Sequence, residues 1–395
     1  MSELLPGPVV PLRLKSGKRH RVLHGHPWVF SNQLVEIPAD LQPGSGIEVR
    51  THGGAFVGRG YGHPGTLITA RLLTRVEGQP LDSDWLAHRL DAALAARTGL
   101  QRSAYRWLHG EADGVPGLII DRYGDGIVAS ANTAGTESMR PAVEQILKSR
   151  FGVARGIWKG DTRGRKLEGL PASVESGWGD TEGDWTIDDD GLAIRFDPWG
   201  GQKTGLFLDM WENRRRMVPL LGSGRVVDLF SYVGQWGLHI AAAGATEVTC
   251  IDRSEGAIAQ SNANAAANGL NVAGRVSSVD KALGAIPDGS LDAIVCDPPA
   301  FIQNKKQVAG GARAYRKLFA QSLRKLRPGG RAVLASCSHH LWEDRFAQVV
   351  SEAAQQAGTS IRVLMRGGQA PCHPVPLNVP ESRYLKCWLV QTAQP

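Results

Sequence analysis

The sequence predicts an α/β protein whose largest part is a doubly wound, mostly parallel sheet, preceded by a small β-barrel and a small central α/β domain. Residues 9–76 contain short β segments separated by Gly and Pro. From Gly224 onward, apolar strands alternate with helical segments through short connections. The length of 395 residues suffices for two or three domains. We therefore predict domains at residues 1–76, 77–190 and 191–395.

The N-terminal β domain, whose strand spacing predicts a small barrel or sandwich, contains five strand segments, at residues 9–14, 28–31, 47–51, 55–61 and 68–73. Its first part carries closely spaced cations: Arg13, Lys15, Lys18, Arg19 and Arg21. Basic segments commonly meet polyanions, because phosphate neutralisation supplies much of the affinity for nucleic acids. We predict Lys15 and Arg21 as contacts to such a substrate.

The central part combines helices and strands. Apolar residues recur at near-helical spacing over residues 82–98, and Gly99 is a plausible stop. Strands are predicted at residues 118–121 and 126–131, followed by a helix at 137–151. The acidic, Gly-rich residues 176–191 are predicted to form a loop or hairpin near the domain boundary.

The C-terminal part alternates regularly between strands and helices. Strands are predicted at residues 225–230, 247–251, 275–279, 291–296 and 331–336. Helices are predicted between them at residues 237–243, 255–268 and 312–326. Residues 360–365 and 384–391 are predicted to add a hairpin at the sheet edge.

Composition excludes several classes of protein. The chain is 42% hydrophobic, and no continuous apolar run reaches the ~18 residues of a membrane helix. No apolar region marks a secretory signal near the start. The cysteines form no C-x-x-C pair, so we expect neither a disulfide framework nor a thiolate zinc site, and we predict a reducing cytoplasm: Cys250, Cys296, Cys337, Cys372 and Cys387.

The net charge of +7 is unevenly distributed. Residues 1–76 carry nine Lys/Arg and four Asp/Glu, and residues 191–395 carry twenty-three and fifteen. Residues 77–190 between them carry thirteen and nineteen, so two basic segments flank an acidic one. The charge fits a nucleic-acid partner and equally a basic surface that only keeps the protein dissolved. The same two alternatives hold for a basic helix: Arg313, Arg316, Lys317, Arg324, Lys325 and Arg327.

Four acids and a cysteine follow the predicted strands of the C-terminal sheet: Asp228, Asp252, Asp280, Asp297 and Cys337. Ligands of open α/β sheets bind beyond the carboxyl ends of the strands, where the strand order reverses. We therefore expect these side chains to converge on one crevice.

The loop after the first of these strands indicates the cofactor. A dinucleotide fingerprint needs G-x-G-x-x-G, whereas this loop has only Gly234 and Gly237. Asp228 would repel a phosphate and suits a cofactor with a cationic ammonium and sulfonium, which describes S-adenosylmethionine. Asp252 is placed to accept from ribose hydroxyls and Asp280 from the adenine amino group. Each carboxylate could instead be a helix cap or a solvated loop acid.

The predicted cofactor-binding residues lie in the stretch of residues 201–214 and after the strands. They are Lys203, Thr204, Gly205, Phe207, Asp228, Phe230, Tyr232, Gly234, Asp252, Arg253, Asp280 and Asp297. The Gly pair at the start of the stretch indicates backbone close to a ligand.

A second motif, Asp297-Pro298-Pro299 with Phe301, indicates a planar substrate. A rigid turn would hold the acid and the aromatic ring at the crevice mouth, where stacking of a base contributes about 1–3 kcal/mol. Asp297, Pro298, Pro299 and Phe301 are therefore predicted to position a base. The motif fits methylation of an exocyclic amine as well as of a ring carbon, and it could be a purely structural turn.

Cys337 distinguishes between these reactions. C5 of cytosine accepts a methyl group only after a thiolate has added to C6, which is covalent catalysis by an activated cysteine. A single cysteine is usually a buried structural residue, but Cys337 follows the fifth strand opposite Asp297, so we predict it as the nucleophile. Cys296 and Cys250 are predicted to lie in the core, Cys372 and Cys387 are unassigned, and residues 339–340 are predicted to begin a helix.

With these motifs the chain resembles the bacterial and archaeal large-subunit ribosomal RNA cytosine-C5 methyltransferases of the RlmI-like group. The matching stretches are residues 26–31, 108–118, 201–214, 227–237, 296–301 and 336–341. The resemblance implies an N-terminal PUA domain, a small central α/β domain, a Rossmann-like methyltransferase domain and Cys337 as nucleophile. Many RNA cytosine methyltransferases carry a second cysteine three residues after the motif Asp, and here that position is Ala300.

The sequence thus predicts a cytoplasmic, S-adenosylmethionine-dependent RNA cytosine-C5 methyltransferase that acts on large-subunit ribosomal RNA. We expect no membrane and no metal, and a homodimer is one option for the oligomeric state. Two alternatives stay open. One is a base-amine or guanine methyltransferase without covalent catalysis, and the other is a non-catalytic RNA-binding factor of ribosome assembly.

Overall fold

The fold is given by a computed structural model that describes residues 3–17 and 20–393. Lys18 and Arg19 of the basic segment lie outside the described residues. The chain divides into two compact units. The first comprises Met1–Trp185, Asp197–Leu206 and Pro371–Ser382, and the second Thr186–Phe196, Phe207–Ala370 and Arg383–Pro395.

The first sheet of the first unit confirms all five predicted strand segments, with ends within one residue of the prediction. Its strands are β1 (Val10–Arg13), β2 (Trp28–Phe30), β3 (Gly46–Arg50), β4 (Phe56–Gly62) and β5 (Ile68–Thr74). They are ordered β1-β3-β4-β5-β2, with β1 parallel to β3 and the other pairs antiparallel. β1 alternates buried and exposed residues, as a strand with one face on a core must.

The second sheet of the first unit has the order β10-β9-β8-β7-β6. Its elements are α1 (Ser83–Ala95), β6 (Ala104–His109), β7 (Leu118–Tyr123), β8 (Gly126–Ala131), α2 (Ala134–Ser138), α3 (Arg140–Ser149), β9 (Arg155–Lys159), α4 (Arg163–Leu167) and β10 (Val174–Trp178). The prediction of one helix at residues 137–151 was wrong, because the chain forms two helices and α3 begins anew with Pro141 in its first turn.

Residues 176–191 contain more strand than predicted. They include the end of β10 and all of β11 (Trp185–Asp189), which forms a hairpin with β12 (Leu192–Phe196). Both hairpin strands alternate buried and exposed residues: Trp185, Ile187, Ile194 and Phe196 are buried, whereas Thr186, Asp188, Ala193 and Arg195 between them are exposed. The acidic composition concealed this period of two.

The second unit contains a seven-stranded sheet of order β15-β14-β13-β16-β17-β19-β18. Its elements are α5 (Trp211–Met217), β13 (Arg225–Leu229), α6 (Gln235–Ala242), β14 (Glu247–Asp252), α7 (Glu255–Ala267), β15 (Val272–Val276), α8 (Val279–Ala285), β16 (Leu291–Cys296), α9 (Val308–Arg324), β17 (Leu326–Ser336), α10 (Glu343–Ala357), β18 (Ile361–Gly367) and β19 (Lys386–Thr392). The pairs among β13–β17 are parallel, and β19 is antiparallel to both β17 and β18, which confirms the predicted edge hairpin.

Helices cover both faces of this sheet, as apolar parallel strands require. One face packs against α9 and α10 through Tyr315, Phe319 and Phe346. The other packs against α5 and α6 through Met217 and Trp236. The strand order reverses at β13, which lies between β14 and β16, so the crevice beyond its carboxyl end is the expected ligand site.

Two local predictions in this unit were wrong. The third strand ends at Val276 rather than at residue 279, because the Ser278 hydroxyl accepts a hydrogen bond from the Lys281 amide and begins α8. Residues 339–340 lie in a turn, and the following helix begins at Glu343. Among the described residues, no helix is long and apolar enough to cross a membrane.

Candidate active site

The carboxyl ends of four strands bring Asp228, Asp252, Asp297 and Cys337 to one edge of the sheet. Leu229 pairs with Ile251 of β14 on one side and with Cys296 of β16 on the other. Residues 230 and 297 therefore follow at the same level, and Asp252 ends β14 beside them. β17 runs parallel to β16, and Cys337 follows its last residue.

The loop after β13 has an unusual backbone. Phe230 and Tyr232 adopt left-handed conformations, with φ of 59° and 50°. Such conformations cost about 1–3 kcal/mol each in residues other than Gly and persist where the surroundings impose them. Here the Tyr232 amide donates to the Asp252 carboxylate at 3.1 Å, and the Ser231 amide donates to the Ile251 carbonyl. Gly234 has φ of 85°, and a Cβ there would lie 2.3 Å from the Ser261 hydroxyl, so only glycine fits.

Asp228 is a buried carboxylate beneath this loop. One of its oxygens, Oδ2, accepts from the Gly237 amide at 3.0 Å, while Oδ1 has no hydrogen-bond partner among the described residues. Burial raises the pKa of Asp228 to about 8; the Gly237 hydrogen bond lowers it, and the nearby Asp297 and Asp252 carboxylates raise it. The pocket therefore brings three carboxyl groups together, and Asp228 holds its proton at neutral pH, which a bound cation would reverse. A cationic ligand such as S-adenosylmethionine fits it, and a phosphate group does not.

Asp252 already orders the backbone of two loops. Its carboxylate accepts from the Tyr232 amide and, at 2.9 Å, from the Ser254 amide. A carboxylate offers about four acceptor positions, so two remain for ribose hydroxyls. Phe207 contacts Tyr232 edge to face, with ring centroids 5.5 Å apart. Arg253 and Asp280 are exposed, and Asp280 lies in the first turn of α8, where an acid stabilises the helix dipole without any ligand.

Three predicted cofactor residues lie in the first unit. Thr204 is buried there, and its hydroxyl donates to Asp121 at 2.6 Å and bonds the Tyr123 hydroxyl. Lys203 has φ of 51°, and the Gly205 amide bonds the Gln202 carbonyl. These contacts order the segment within its own unit.

The two predicted cations of the N-terminal sheet also have partners within the first unit. The Lys15 ammonium donates to the Asn32 carbonyl at 3.1 Å and stays exposed. Arg21 makes two hydrogen bonds to Glu381, and this guanidinium lowers the pKa of Glu381 to about 2. Arg21 thus already forms an ion pair with Glu381, whereas the Lys15 ammonium contacts only a carbonyl and can still bind a phosphate.

Tyr315 of α9 organises the base-positioning loop, and the sequence did not indicate this. The Phe301 and Tyr315 rings lie 4.6 Å apart. The Tyr315 hydroxyl bonds the Ser338 hydroxyl at 2.9 Å and accepts from the Phe301 amide at 3.3 Å. Ser338 in turn accepts from the Ile302 amide. The loop after β16 is thereby tied to the residue that follows Cys337.

All five cysteines belong to the described part of the chain, and they differ in exposure. Cys337 is partly exposed, and the other four are buried. The Cys337 sulfur lies 4.0 Å from the Pro298 carbonyl oxygen, so the thiol and the Asp-Pro-Pro turn share one place. Cys296 belongs to the apolar core, as predicted, and burial raises the pKa of its thiol. Only Cys337 combines exposure with contact to the predicted base site.

Lys386 is a buried cation beside Cys337 that the sequence analysis missed. It pairs with Ser336 across β17 and β19, and its ammonium donates to the Ser338 and Tyr384 carbonyls at 2.7 Å each. Burial lowers the pKa of Lys386 to about 8, while its electrostatic interaction with Cys337 opposes that shift. A lysine at the head of the otherwise apolar segment of β19 was the available signal.

No group of three or more His, Cys, Asp or Glu side chains in the described ranges is arranged to hold a metal ion.

Comparison with known families and proteins agrees with this arrangement. Residues 12–75 match a PUA-like domain, and residues 165–376 match the S-adenosylmethionine-dependent methyltransferase family. The chain belongs to this methyltransferase family. Ribosomal RNA large subunit methyltransferase I of Shewanella amazonensis is 33% identical over 387 residues, covering 95% of this chain and 98% of the relative. The enzyme of that name from Klebsiella pneumoniae subsp. pneumoniae is 32% identical, with coverages of 95% and 96%.

Solved structures show the same fold. A SAM-dependent methyltransferase from Streptococcus mutans aligns with a TM-score of 0.81 at 19% identity, covering 97% of this chain and all of that one. A methyltransferase complexed with SAH aligns with a TM-score of 0.82 and the same identity and coverages. The predicted fold, the PUA-like domain and the methyltransferase activity with S-adenosylmethionine as cofactor are thus confirmed.

Proposed function

We propose that this methyltransferase modifies C5 of a cytosine in large-subunit ribosomal RNA and uses Cys337 as a covalent catalyst. The relatives' name supports the RNA substrate, as do the PUA-like domain and the basic N- and C-terminal segments. The partly exposed thiol of Cys337, 4.0 Å from the Pro298 carbonyl, carries the proposal for the base and for the mechanism. An RNA substrate of this kind places the enzyme in the cytoplasm.

In this proposal Asp228, Asp252 and Gly234 hold the cofactor. The Oδ1 atom of Asp228, which has no hydrogen-bond partner among the described residues, can accept from a cationic group. Asp252 keeps two acceptor positions, and Gly234 leaves space beside the loop because it has no side chain. When bound, S-adenosylmethionine supplies an electron-poor methyl group on a sulfonium. Asp297, Pro298, Pro299 and Phe301 hold the base, with Tyr315 fixing the ring of Phe301.

The Cys337 thiolate attacks C6 of the cytosine, and an S–C6 bond forms as the C5–C6 π electrons shift towards C5. C5 would then take the methyl group as the bond from the methyl carbon to the sulfonium sulfur breaks and its electron pair stays on sulfur. A base removes the C5 proton, its electron pair re-forms the C5–C6 double bond, and the thiolate leaves C6. The Lys386 ammonium, buried beside Cys337, stabilises the thiolate before attack and after release.

We further propose three functional segments. Residues 1–76 contribute RNA affinity through cations such as Lys15, residues 77–190 form a central α/β part, and residues 191–395 hold the catalytic machinery.

Trapping the covalent intermediate tests the proposal. RNA carrying 5-fluorocytidine should form a stable adduct, because fluorine does not leave C5 as a proton does and the thiolate is retained. Cys337→Ala should abolish both adduct and methylation but keep cofactor binding. Cys296→Ala is the matched control, since it removes a thiol that ends the neighbouring strand but is buried, and it should retain the adduct.

The opposite results are informative. An adduct that survives Cys337→Ala would refute the assigned nucleophile. Methylation retained in Cys337→Ala would indicate transfer to an exocyclic amine through Asp297 without covalent catalysis. Mapping 5-methylcytosine in ribosomal RNA from a strain lacking the gene would identify the target nucleotide.

A further inference from the structure

The segment after the base-positioning loop has an extreme charge bias. Residues 300–331 contain nine Lys/Arg and no Asp or Glu. Four of these cations have partners elsewhere in the second unit: Arg316 with Glu352, Lys325 with Asp288, Arg327 with Asp292, and Arg331 with the Leu220 carbonyl. The other five are exposed and form no ion pair within the described residues: Lys305, Lys306, Arg313, Lys317 and Arg324.

Three of the unpaired cations share one face of α9. With about 100° per residue, Arg313, Lys317 and Arg324 fall within a sector of roughly 40°. The rise of 1.5 Å per residue separates the first from the last by about 16 Å. We call Arg313, Lys317 and Arg324 the α9 stripe. The opposite face of the helix is buried through Tyr315, Leu318 and Phe319, so the orientation of the stripe towards solvent is fixed by the core.

The α9 stripe lies on the helix that directly follows the base-positioning loop. The helix begins seven residues after Phe301, and its Tyr315 contacts both Phe301 and Ser338. Lys305 and Lys306 lie between the loop and the helix. Cations thus follow the base-positioning loop directly in the chain and continue along the solvent face of the helix, opposite Tyr315. Arg313 and Lys317 lie one turn apart, where like charges repel, and an RNA backbone along the helix would neutralise both.

We propose that the α9 stripe, with Lys305 and Lys306, binds the phosphates of the RNA strand that flanks the target base. This inference rests on the proposed function, because it requires an RNA substrate at this site. The cations position the strand and read no sequence, since phosphate contacts fix orientation without identifying bases. The PUA-like domain is then not the sole source of RNA affinity: the catalytic unit has its own.

Salt dependence of RNA binding tests the stripe. The triple variant Arg313→Gln, Lys317→Gln, Arg324→Gln removes three charges, and each lost phosphate contact lowers the slope of log affinity against log salt by about 0.7–0.9. We expect the slope to fall by about 2–3, measured with large-subunit ribosomal RNA from a strain lacking the gene. The cofactor Kd and the methylation rate at saturating RNA should stay at the wild-type values.

A matched control removes the same charge elsewhere in the second unit. Arg215→Gln, Arg275→Gln and Arg362→Gln replace exposed arginines on α5, β15 and β18, and the slope should change much less. Charge-preserving Arg313→Lys and Arg324→Lys should keep the wild-type slope. Equal slopes for the α9 and control triples would overturn the proposal, since they would indicate only long-range attraction.

The two proposals fail in different ways. If the α9 triple lowers the slope but no 5-fluorocytidine adduct forms in the wild type, the cytosine mechanism is wrong and the RNA surface stands. If the adduct forms and the α9 triple leaves the slope unchanged, the stripe is wrong and the reaction stands.

Discussion

Replacing Asp228 with Asn should make the fold more stable at neutral pH while weakening cofactor binding. In the folded protein the pKa of Asp228 is raised to about 8 by burial, with Asp297 and Asp252 adding to the shift. In the unfolded chain the same carboxyl titrates near 3.8. Between these values the folded state holds a proton that the unfolded state has lost. Wild-type stability must therefore fall as pH rises through this window and level off above it.

The size of the effect follows from the shift. Each pH unit inside the window costs the wild type about 1.4 kcal/mol, so its stability relative to the variant should fall by about 3 kcal/mol between pH 5 and 7. Asn introduces an amide donor at the orphaned position, and the resulting loss of folding free energy is the same at every pH. The pH dependence of stability, rather than the absolute difference between wild type and variant, is therefore diagnostic. Losing a charge-assisted contact to the cofactor should cost about 1.5–3 kcal/mol, a roughly 10- to 150-fold weaker Kd.

Urea unfolding at pH 5, 6, 7 and 8 measures the first effect, and calorimetric titration with S-adenosylmethionine measures the second. Asp292→Asn on β16 is a control of opposite sign. Hydrogen bonds from the Arg225 amide and the Arg327 guanidinium lower the pKa of Asp292, so its contribution is present at neutral pH and lost towards acid. If the free energies of unfolding of the wild type and Asp228→Asn changed in parallel with pH, the raised pKa of Asp228 would be refuted.

Three further predictions concern residues around this pocket and the N-terminal sheet. Lys386→Met should move the pH dependence of Cys337 alkylation upward and slow adduct formation, whereas Lys386→Arg should restore part of both; an unchanged alkylation profile would exclude the thiolate-stabilising role. Tyr315→Phe removes the hydroxyl that bonds Ser338 and the Phe301 amide, and should cost about 1–3 kcal/mol of stability and lower kcat at constant cofactor Kd. Arg13→Gln with Lys15→Gln should lower the salt slope of RNA binding by about 1–2, with methylation at saturating RNA unchanged.

The order of elements was predictable where each strand carries its own signal. β13, β14 and β16 are short apolar runs closed by an acid or a turn, and their predicted bounds differ from the observed ones by one residue at most. β15 is different because most of it is exposed. With no apolar run to mark it, the polar residues after Val276 were assigned to the strand, and Asp280 was placed at a strand end instead of inside α8.

The prediction for the cofactor side of the site rests on local sequence alone. Asp228, Gly234 and Gly237 lie within ten residues of one another on a single strand–loop–helix unit, and the chemistry of that loop excludes a phosphate without reference to the rest of the chain. The thiol side depends on long-range pairing. Lys386 reaches the carbonyl of Ser338 only because β19 returns antiparallel to β17, and nothing near residue 386 specifies that register.

Two cysteines at the ends of adjacent strands, Cys296 and Cys337, have different surroundings. Cys296 is the last residue of β16, with its side chain in the α9 and α10 core, and burial raises the pKa of its thiol. Cys337 stands one residue beyond β17, where the strand has ended and the side chain reaches the crevice next to a buried ammonium. A shift of one position relative to the end of the strand thus separates a buried thiol from a partly exposed one, and the partly exposed thiol is the one that we propose as the nucleophile. The placement of Lys386 across from Ser336 then supplies a charge that only the second thiol can use.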